Sequence, residues 1–195
     1  MEKYSVGILL FDDVELLDFA GPYEVFSVAA HLAGLKILDV FTVSESKSPI
    51  KTYNGLKCLP DYDFSDVPPV SILIIPGGEG SKKVIENPNY TNWTQKVNDT
   101  SLVTASVCSG ARILAFLKLL DNFRATTHAE VFEELQKSAP HTTWLPEERF
   151  VDNGKIMTAG GVSAGIDLSL HIVQKLFGAR LADKVIEYME YKQPV

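Results

Sequence analysis

Apolar and polar positions along the chain fall into two alternating rhythms. Short runs rich in branched aliphatic residues, Tyr4 to Leu10, Lys36 to Val43, Val70 to Ile75 and Leu102 to Val107, predict strands. Within the third run, Ser-Ile-Leu-Ile-Ile has no polar face, the pattern of a parallel strand covered by helices on both sides. Segments of helical period lie between them. Glu15 to Leu32 is the first, with Pro22 placed to start or bend it, and Asn89 to Val97 follows Pro88 with Trp93 and Val97 one turn apart. A third helix is expected from Gly110 to about Leu120, and a shorter one from Ala129 to Lys137 with Val131, Phe132 and Leu135 on one face. Ser163 to Phe177 carries Ile166, Leu170, Val173 and Phe177 on one stripe before Gly178, and Leu181 to Tyr191 stops short of Pro194.

Two Asn-Gly pairs predict tight hairpins: Asn153-Gly154, within Glu148 to Thr158, and Asn54-Gly55, in the turn-rich segment Ser48 to Pro69. Strands alternating with helices spell βαβ units. The expectation is one doubly wound α/β domain over residues 1–195, with a mostly parallel central sheet between two helical layers. A chain of 195 residues buries roughly 70% of its unfolded surface and builds a core without staples.

Composition narrows the partners. The net charge of -7, from 18 basic and 25 acidic residues with no basic stripe, argues against nucleic acid. The opening MEKYSVGILLFDD holds an apolar run too short for a secretory leader or a membrane span. Only two cysteines occur, Cys58 and Cys108, in unlike contexts, so the expectation is a cytoplasmic protein without disulfides and without membrane contact. None of His31, His128, His141 and His171 has metal-ligand spacing, and no metal or cofactor is expected.

The candidate chemistry centres on LVTASVCSGARILAFL, Leu102 to Leu117. Reacting groups in open α/β sheets gather beyond the carboxyl ends of strands, and Cys108 stands where a strand turns into a helix through the small residues Ser109, Gly110 and Ala111. A helix N-terminus behind the sulfur would favour the thiolate and lower its pKa. A lone cysteine is more often a buried structural residue; position and company distinguish this one. A second strand end brings Gly77 and Gly78, whose N–H groups, with that of Ser109, are expected to form an oxyanion hole. A third leads into Asp18, set among Leu16, Leu17, Phe19 and Ala20, a carboxyl whose pKa partial burial would raise. His128 is a candidate base or a loop histidine bonded at a helix start, and Gly160 and Gly161 are read as close backbone approach beside the pocket.

Together LLDFAGPYEVF around Asp18, IIPGGEG, SVCSGARILA around Cys108, RATTH ending at His128 and TAGGVSAGIDLSLHIV resemble the ThiJ/PfpI superfamily, a branch of the class I glutamine amidotransferase-like fold. The resemblance runs through nearly the whole chain and is nearest to the isonitrile hydratases and to the amidase-like domains of certain transcriptional regulators. It implies a flavodoxin-like sandwich, a homodimer and a reactive cysteine in a strained backbone conformation with an acid beside it, which lands on Asp18. Regulators of that kind carry a helix-turn-helix module beyond the final helix, and the expectation here is a standalone enzyme-like domain. Two departures matter. The hydratases usually follow the cysteine with threonine, where this chain has Ser109, and the protease-like members place a histidine there as base, which Ser109 cannot replace.

Gly161-Val162-Ser163-Ala164-Gly165 matches the serine-hydrolase elbow, but only His171 lies downstream, about 12 Å along the same helix. Ser163 is therefore read as a helix N-cap. The function expected is an isonitrile hydratase-like lyase acting on a small molecule through a Cys108 thiolate, with Asp18 shuttling the proton. An amidase or glyoxalase-like activity, and a redox-sensing domain without turnover, are the alternatives.

Overall fold

The computed structural model describes residues 3–34 and 37–192; Lys36, expected to open the second strand, Pro194, beyond the last helix, and the first two residues of the opening stretch lie outside them. The chain begins β1 Tyr4–Leu9, α1 Leu16–Leu32, β2 Leu38–Ser44, β3 Ile50–Lys51, β4 Lys57–Cys58, β5 Tyr62–Asp63, β6 Ile72–Ile75, α2 Ser81–Glu86 and α3 Pro88–Thr100. It continues β7 Val103–Val107, α4 Ala111–Phe116, β8 Arg124–Ala125, α5 Phe132–Ser138, β9 Thr143–Trp144, β10 Phe150–Asp152, β11 Ile156–Ala159, α6 Ala164–Phe177 and α7 Ala179–Tyr188.

Seven strands form the central sheet in the order β10-β11-β7-β6-β1-β2-β5, and every neighbouring pair is parallel except β10 with β11. Helices α1, α6 and α7 pack together on one face, and α2 to α5 on the other. This is the expected three-layer α/β sandwich. Coverage on both faces explains why Ile72, Leu73, Ile74 and Ile75 are all buried with no alternation. Each such side chain contributes roughly 2 kcal/mol of transfer free energy. From β1 the chain moves to β2 on one side and later returns to β6 on the other. The order thus reverses beside β1, which opens a crevice at the carboxyl ends of these strands.

Two glycines bring the helical layer close to that crevice. A Cβ on Gly21 would lie 3.0 Å from the Ile166 side chain, and one on Gly165 would lie 2.9 Å from Val107 and 3.5 Å from the Pro22 ring. Helices α1 and α6 therefore cross in near backbone contact, and Asp18, one turn before Pro22, is pressed towards the end of β7.

Several boundaries differ from expectation for physical reasons. Of the two positions open to Pro22, the structure takes the internal one, so the Asp18 carbonyl has no i+4 N–H to accept. Helix α4 ends at Phe116 instead of about Leu120, because Lys118 adopts φ 57°. The apolar run continues past the helix since Leu120, wholly buried, anchors a turn. Helix α7 stops at Tyr188, and Tyr191 donates its hydroxyl to Asp167 Oδ1 at 2.9 Å. Ser163 occupies the position before α6 without capping it; its Oγ accepts from Arg149 at 2.9 Å. Both Asn-Gly hairpins form, as β3-β4 and β10-β11, with Gly55 at φ 93° and Gly154 at φ 91°. The first is a separate two-stranded sheet, and the two-residue β5 after it closes the main sheet's edge.

Gly110 marks the tightest point behind the cysteine, where an added Cβ would overlap the carbonyl oxygens of Ile75 and Pro76. Gly110→Ala is expected to destabilise the fold by about 3 kcal/mol or more. Gly154→Ala, in open space but at positive φ, should cost about 1 kcal/mol. Urea unfolding of the two variants measures the difference, and equal midpoints would contradict the packing described.

Candidate active site

Four strand ends converge in the crevice. After β1 comes α1 with Asp18; after β6, Gly77 and Gly78; after β7, Cys108; after β11, Gly160 to Val162. The β6 turn is seated against the start of α1: Gly78, at φ 114°, leaves no room for a Cβ beside the backbone of Asp13 and Glu15, and the Glu15 N–H donates to the Gly77 carbonyl at 3.0 Å.

Cys108 adopts φ 57°, a left-handed conformation that costs a non-glycine residue about 1 kcal/mol or more. Its backbone is held from two sides. The Cys108 N–H donates to the Gly160 carbonyl at 2.9 Å, and the Thr127 hydroxyl donates to the Cys108 carbonyl at 2.9 Å. A short 3-10 turn, Cys108–Gly110, then leads into α4. Arg112, 3% exposed, backs this turn: it forms a two-point bond with Glu134 at 2.7 and 2.8 Å and also donates to Ser81 Oγ. The cysteine turn is thereby tied to α2 and α5.

Asp18 is 0% exposed. Burial pushes its carboxyl up to about 7, against the opposing effects of the Gly77 N–H and the Cys108 thiol and with a further rise from Glu15. Oδ2 accepts from the Gly77 N–H at 2.9 Å, whereas Oδ1 is buried with no partner in hydrogen-bond geometry among the described residues. The thiol of Cys108 lies against this carboxyl and shares its proton balance.

The sulfur itself corrects an expectation. Burial, followed by the charge of Asp18, pushes the Cys108 thiol up to about 12, while the N–H groups of Val162 and Ser109 are directed at it and favour the thiolate. Helix α4 has only six residues, and its N-terminal field does not offset the loss of water and a neighbouring carboxylate. Around neutral pH the Cys108–Asp18 pair therefore holds a proton that the acid, not the sulfur, is first to lose.

The two glycines expected as oxyanion donors are otherwise engaged. The Gly77 N–H is donated to Asp18, and the Gly78 N–H to Ser109 Oγ at 2.9 Å. Ser109 acts as a brace between two strand ends, and its own N–H faces the sulfur. Val162, at φ 39°, supplies the other amide. Sequence reasoning missed it, since a valine carries no mark of a backbone donor; only the neighbouring glycines hinted at an unusual turn.

His128 lines the same cavity, half-buried, with Nδ1 accepting from the Glu130 N–H at 3.2 Å. A Cβ on Gly161 would lie 3.2 Å from its Nε2 and closer still to its ring carbon, so the expected close approach is real at Gly161. At Gly160 it is absent, because a Cβ there meets nothing nearer than 3.6 Å; that residue acts through its carbonyl. His171 is bound to Asp152 at 2.8 Å, remote from Ser163, so the hydrolase-like pentapeptide is not a catalytic elbow. Among the described residues no cluster of three His, Cys, Asp or Glu side chains is placed to hold a metal, and no helix is long and apolar enough to cross a membrane.

A doubly wound sandwich with a cysteine on a strained strand-to-helix turn defines a broad class of α/β proteins. The chain belongs to the DJ-1/PfpI family, whose model matches residues 4–175. It is 33% identical over 188 residues to an isonitrile hydratase of Pseudomonas putida, a match spanning 96% of this chain and 78% of that protein. It is also similar, at 25% identity over 189 residues, to the HTH-type transcriptional regulator GbdR of Pseudomonas aeruginosa; that match covers 97% of this chain and 51% of the regulator. A ThiJ/PfpI family protein from Pseudomonas syringae superposes with a TM-score of 0.88 at 24% identity, covering all of this chain and 78% of that one. The last likeness is one of fold.

The raised acid has a stability consequence with a definite sign. A carboxyl at about 3.8 when unfolded and about 7 when folded stabilises the fold fully only below the lower value, and that stability is lost as pH rises to about 7. Asp18→Asn is therefore expected to raise stability by roughly 2 kcal/mol at about pH 8, and by much less near pH 4. Thermal melts across that range check it; a pH-independent difference would count against the burial argument.

Proposed function

We propose that the protein is an isonitrile hydratase-like lyase, converting R–N≡C and water into the formamide R–NH–CHO at Cys108. The observation that carries this reading is the pairing of a sulfur on a strained turn with a buried acid pushed up to about 7. Such an acid changes protonation near neutral pH, as a proton shuttle requires. The 33% identity to an isonitrile hydratase supports the choice of substrate class.

In this mechanism ionised Asp18 draws the thiol proton as Sγ bonds to the terminal isocyanide carbon. That proton is then delivered to the same carbon, leaving a thioimidate, R–N=CH–S–Cys. Water adds to this carbon with one proton passing to nitrogen. The C–S bond breaks, the second proton returns through Asp18 to sulfur, and R–NH–CHO leaves. The N–H groups of Ser109 and Val162 favour negative charge on sulfur whenever the bond is forming or breaking. The same proposal takes residues 1–195 as one domain, a small molecule as partner and a homodimer as the working form. A redox-sensing role suits the site less well, because it calls for a thiol already ionised at neutral pH, and burial acts against that.

With cyclohexyl isocyanide the purified protein should release the formamide, and Cys108→Ala should lower the rate by about a thousandfold or more. Asp18→Asn should lower it roughly a hundredfold. Since the active form needs Asp18 ionised and the thiol intact, kcat/KM should rise with pH to a plateau above about 7. Formamide production that survives Cys108→Ala would rule out the mechanism.

A further inference from the structure

The cavity above Cys108 has a volume of about 250 Å³, below the range of about 300–1,000 Å³ typical of drug-sized sites. Its ligand is therefore small, and its wall is strongly biased in charge. Glu15 enters from the start of α1, Glu79 from the turn after β6 and Glu130 from the segment after β8. The one basic side chain in the lining is His128, whose Nδ1 is already accepting from the Glu130 N–H. Lys82 lies 2.5 Å from Glu79 and offsets that carboxylate, but the salt bridges of the described residues include neither Glu15 nor Glu130.

Two further observations point to a ligand rather than to a merely solvated rim. At the floor the Cys108 thiol reaches the cavity at 7% exposure, with Asp18 wholly buried behind it and paired with that thiol. At the mouth, Tyr53 from the β3-β4 hairpin lines the same cavity while 65% exposed, an aromatic surface next to carboxylates. Aromatic faces and carboxylates together favour organic cations, by the ring quadrupole and by direct charge attraction. A cleft lined by one sign of charge also concentrates ions of the opposite sign before they bind.

We propose that this pocket selects substrates carrying an ammonium group near the reactive carbon and rejects those carrying a carboxylate, with Glu15, Glu79, Glu130 and Tyr53 as the specificity-determining side chains. The substrate class named here rests on the hydratase reading above; the charge selection itself rests on the cavity alone. For a hydratase, the favoured substrates are small aminoalkyl isonitriles.

Two measurements separate these layers. The first labels Cys108 in a Cys58→Ser background with 2-(trimethylammonio)ethyl methanethiosulfonate or its 2-sulfonatoethyl analogue. In either case Sγ forms a disulfide and methanesulfinate leaves, and intact mass confirms a single adduct. With each rate divided by that of a small free thiol, the cation should react about tenfold faster than the anion at low salt. That ratio should fall towards one in about 0.5 M salt, and by roughly half in Glu130→Gln, with a larger loss in Glu79→Gln/Glu130→Gln. A corrected ratio of one or less, or one that the double variant leaves unchanged, overturns the proposal. The second measurement compares kcat/KM for 2-(trimethylammonio)ethyl isocyanide and its neutral isostere 3,3-dimethylbutyl isocyanide, with the cation favoured. Charge-selective labelling with hydration of neither isonitrile overturns the hydratase reading and leaves the selection standing. Equal hydration of both, without selective labelling, does the reverse.

Discussion

A left-handed backbone at Cys108 is an unfavourable state for any residue with a Cβ, and the surrounding structure is arranged so that no other state is open to it. The residue's N–H is committed to Gly160 and its carbonyl to Thr127. Two residues on, the chain runs so close to the carbonyls of Ile75 and Pro76 that only glycine fits. Strand β7, buried along its whole length between β6 and β11, fixes where the turn must occur. Remove any one of these and the turn would relax; together they aim one sulfur out of the sheet at a predetermined point.

The acid beneath it depends on the same geometry. Asp18 reaches the sulfur because Gly21 and Gly165 let α1 and α6 approach closely, and because the Gly77 N–H fixes one carboxyl oxygen. Burial does the rest, raising both proton affinities so that the pair resists full ionisation. The helix-terminus argument for a low-pKa thiolate fails here on magnitudes: a six-residue helix offers a modest field, and desolvation beside a carboxylate outweighs it. In the proposed hydratase reaction such a pair would move a proton in step with bond formation rather than present a standing thiolate.

Much of this was legible in the sequence. Apolar runs without alternation gave parallel strands, two Asn-Gly pairs gave hairpins, and the small residues after Cys108 gave the turn. Asp18 stood out because an acid among four apolar neighbours is costly to bury without purpose. What stayed hidden was the allocation of backbone donors. Gly77 and Gly78 looked like free amides, yet one serves Asp18 and the other the Ser109 hydroxyl, while the expected Ser109 amide at the sulfur is joined by the unforeseen one of Val162. Side-chain identity carries no record of where an N–H points. The end of α4 was hidden for a related reason, since Leu119 and Leu120 prolong a helical pattern while packing from a turn.

Arg112 gives the site a mechanical polarity. Bonded to Glu134 and Ser81 behind the cysteine turn, it cross-links three helices into a rigid backstop. On the other side of the sulfur stands the turn from Gly160 to Val162, tied to the cysteine through the Gly160 carbonyl and strained at Val162. Bulk added at the sulfur therefore extends into the cavity, on the side away from Arg112. A covalent adduct would fill the space between Tyr53, His128 and Val162 and leave the sheet and the three cross-linked helices where they stand, so the frame that strains the cysteine is insulated from whatever the sulfur carries.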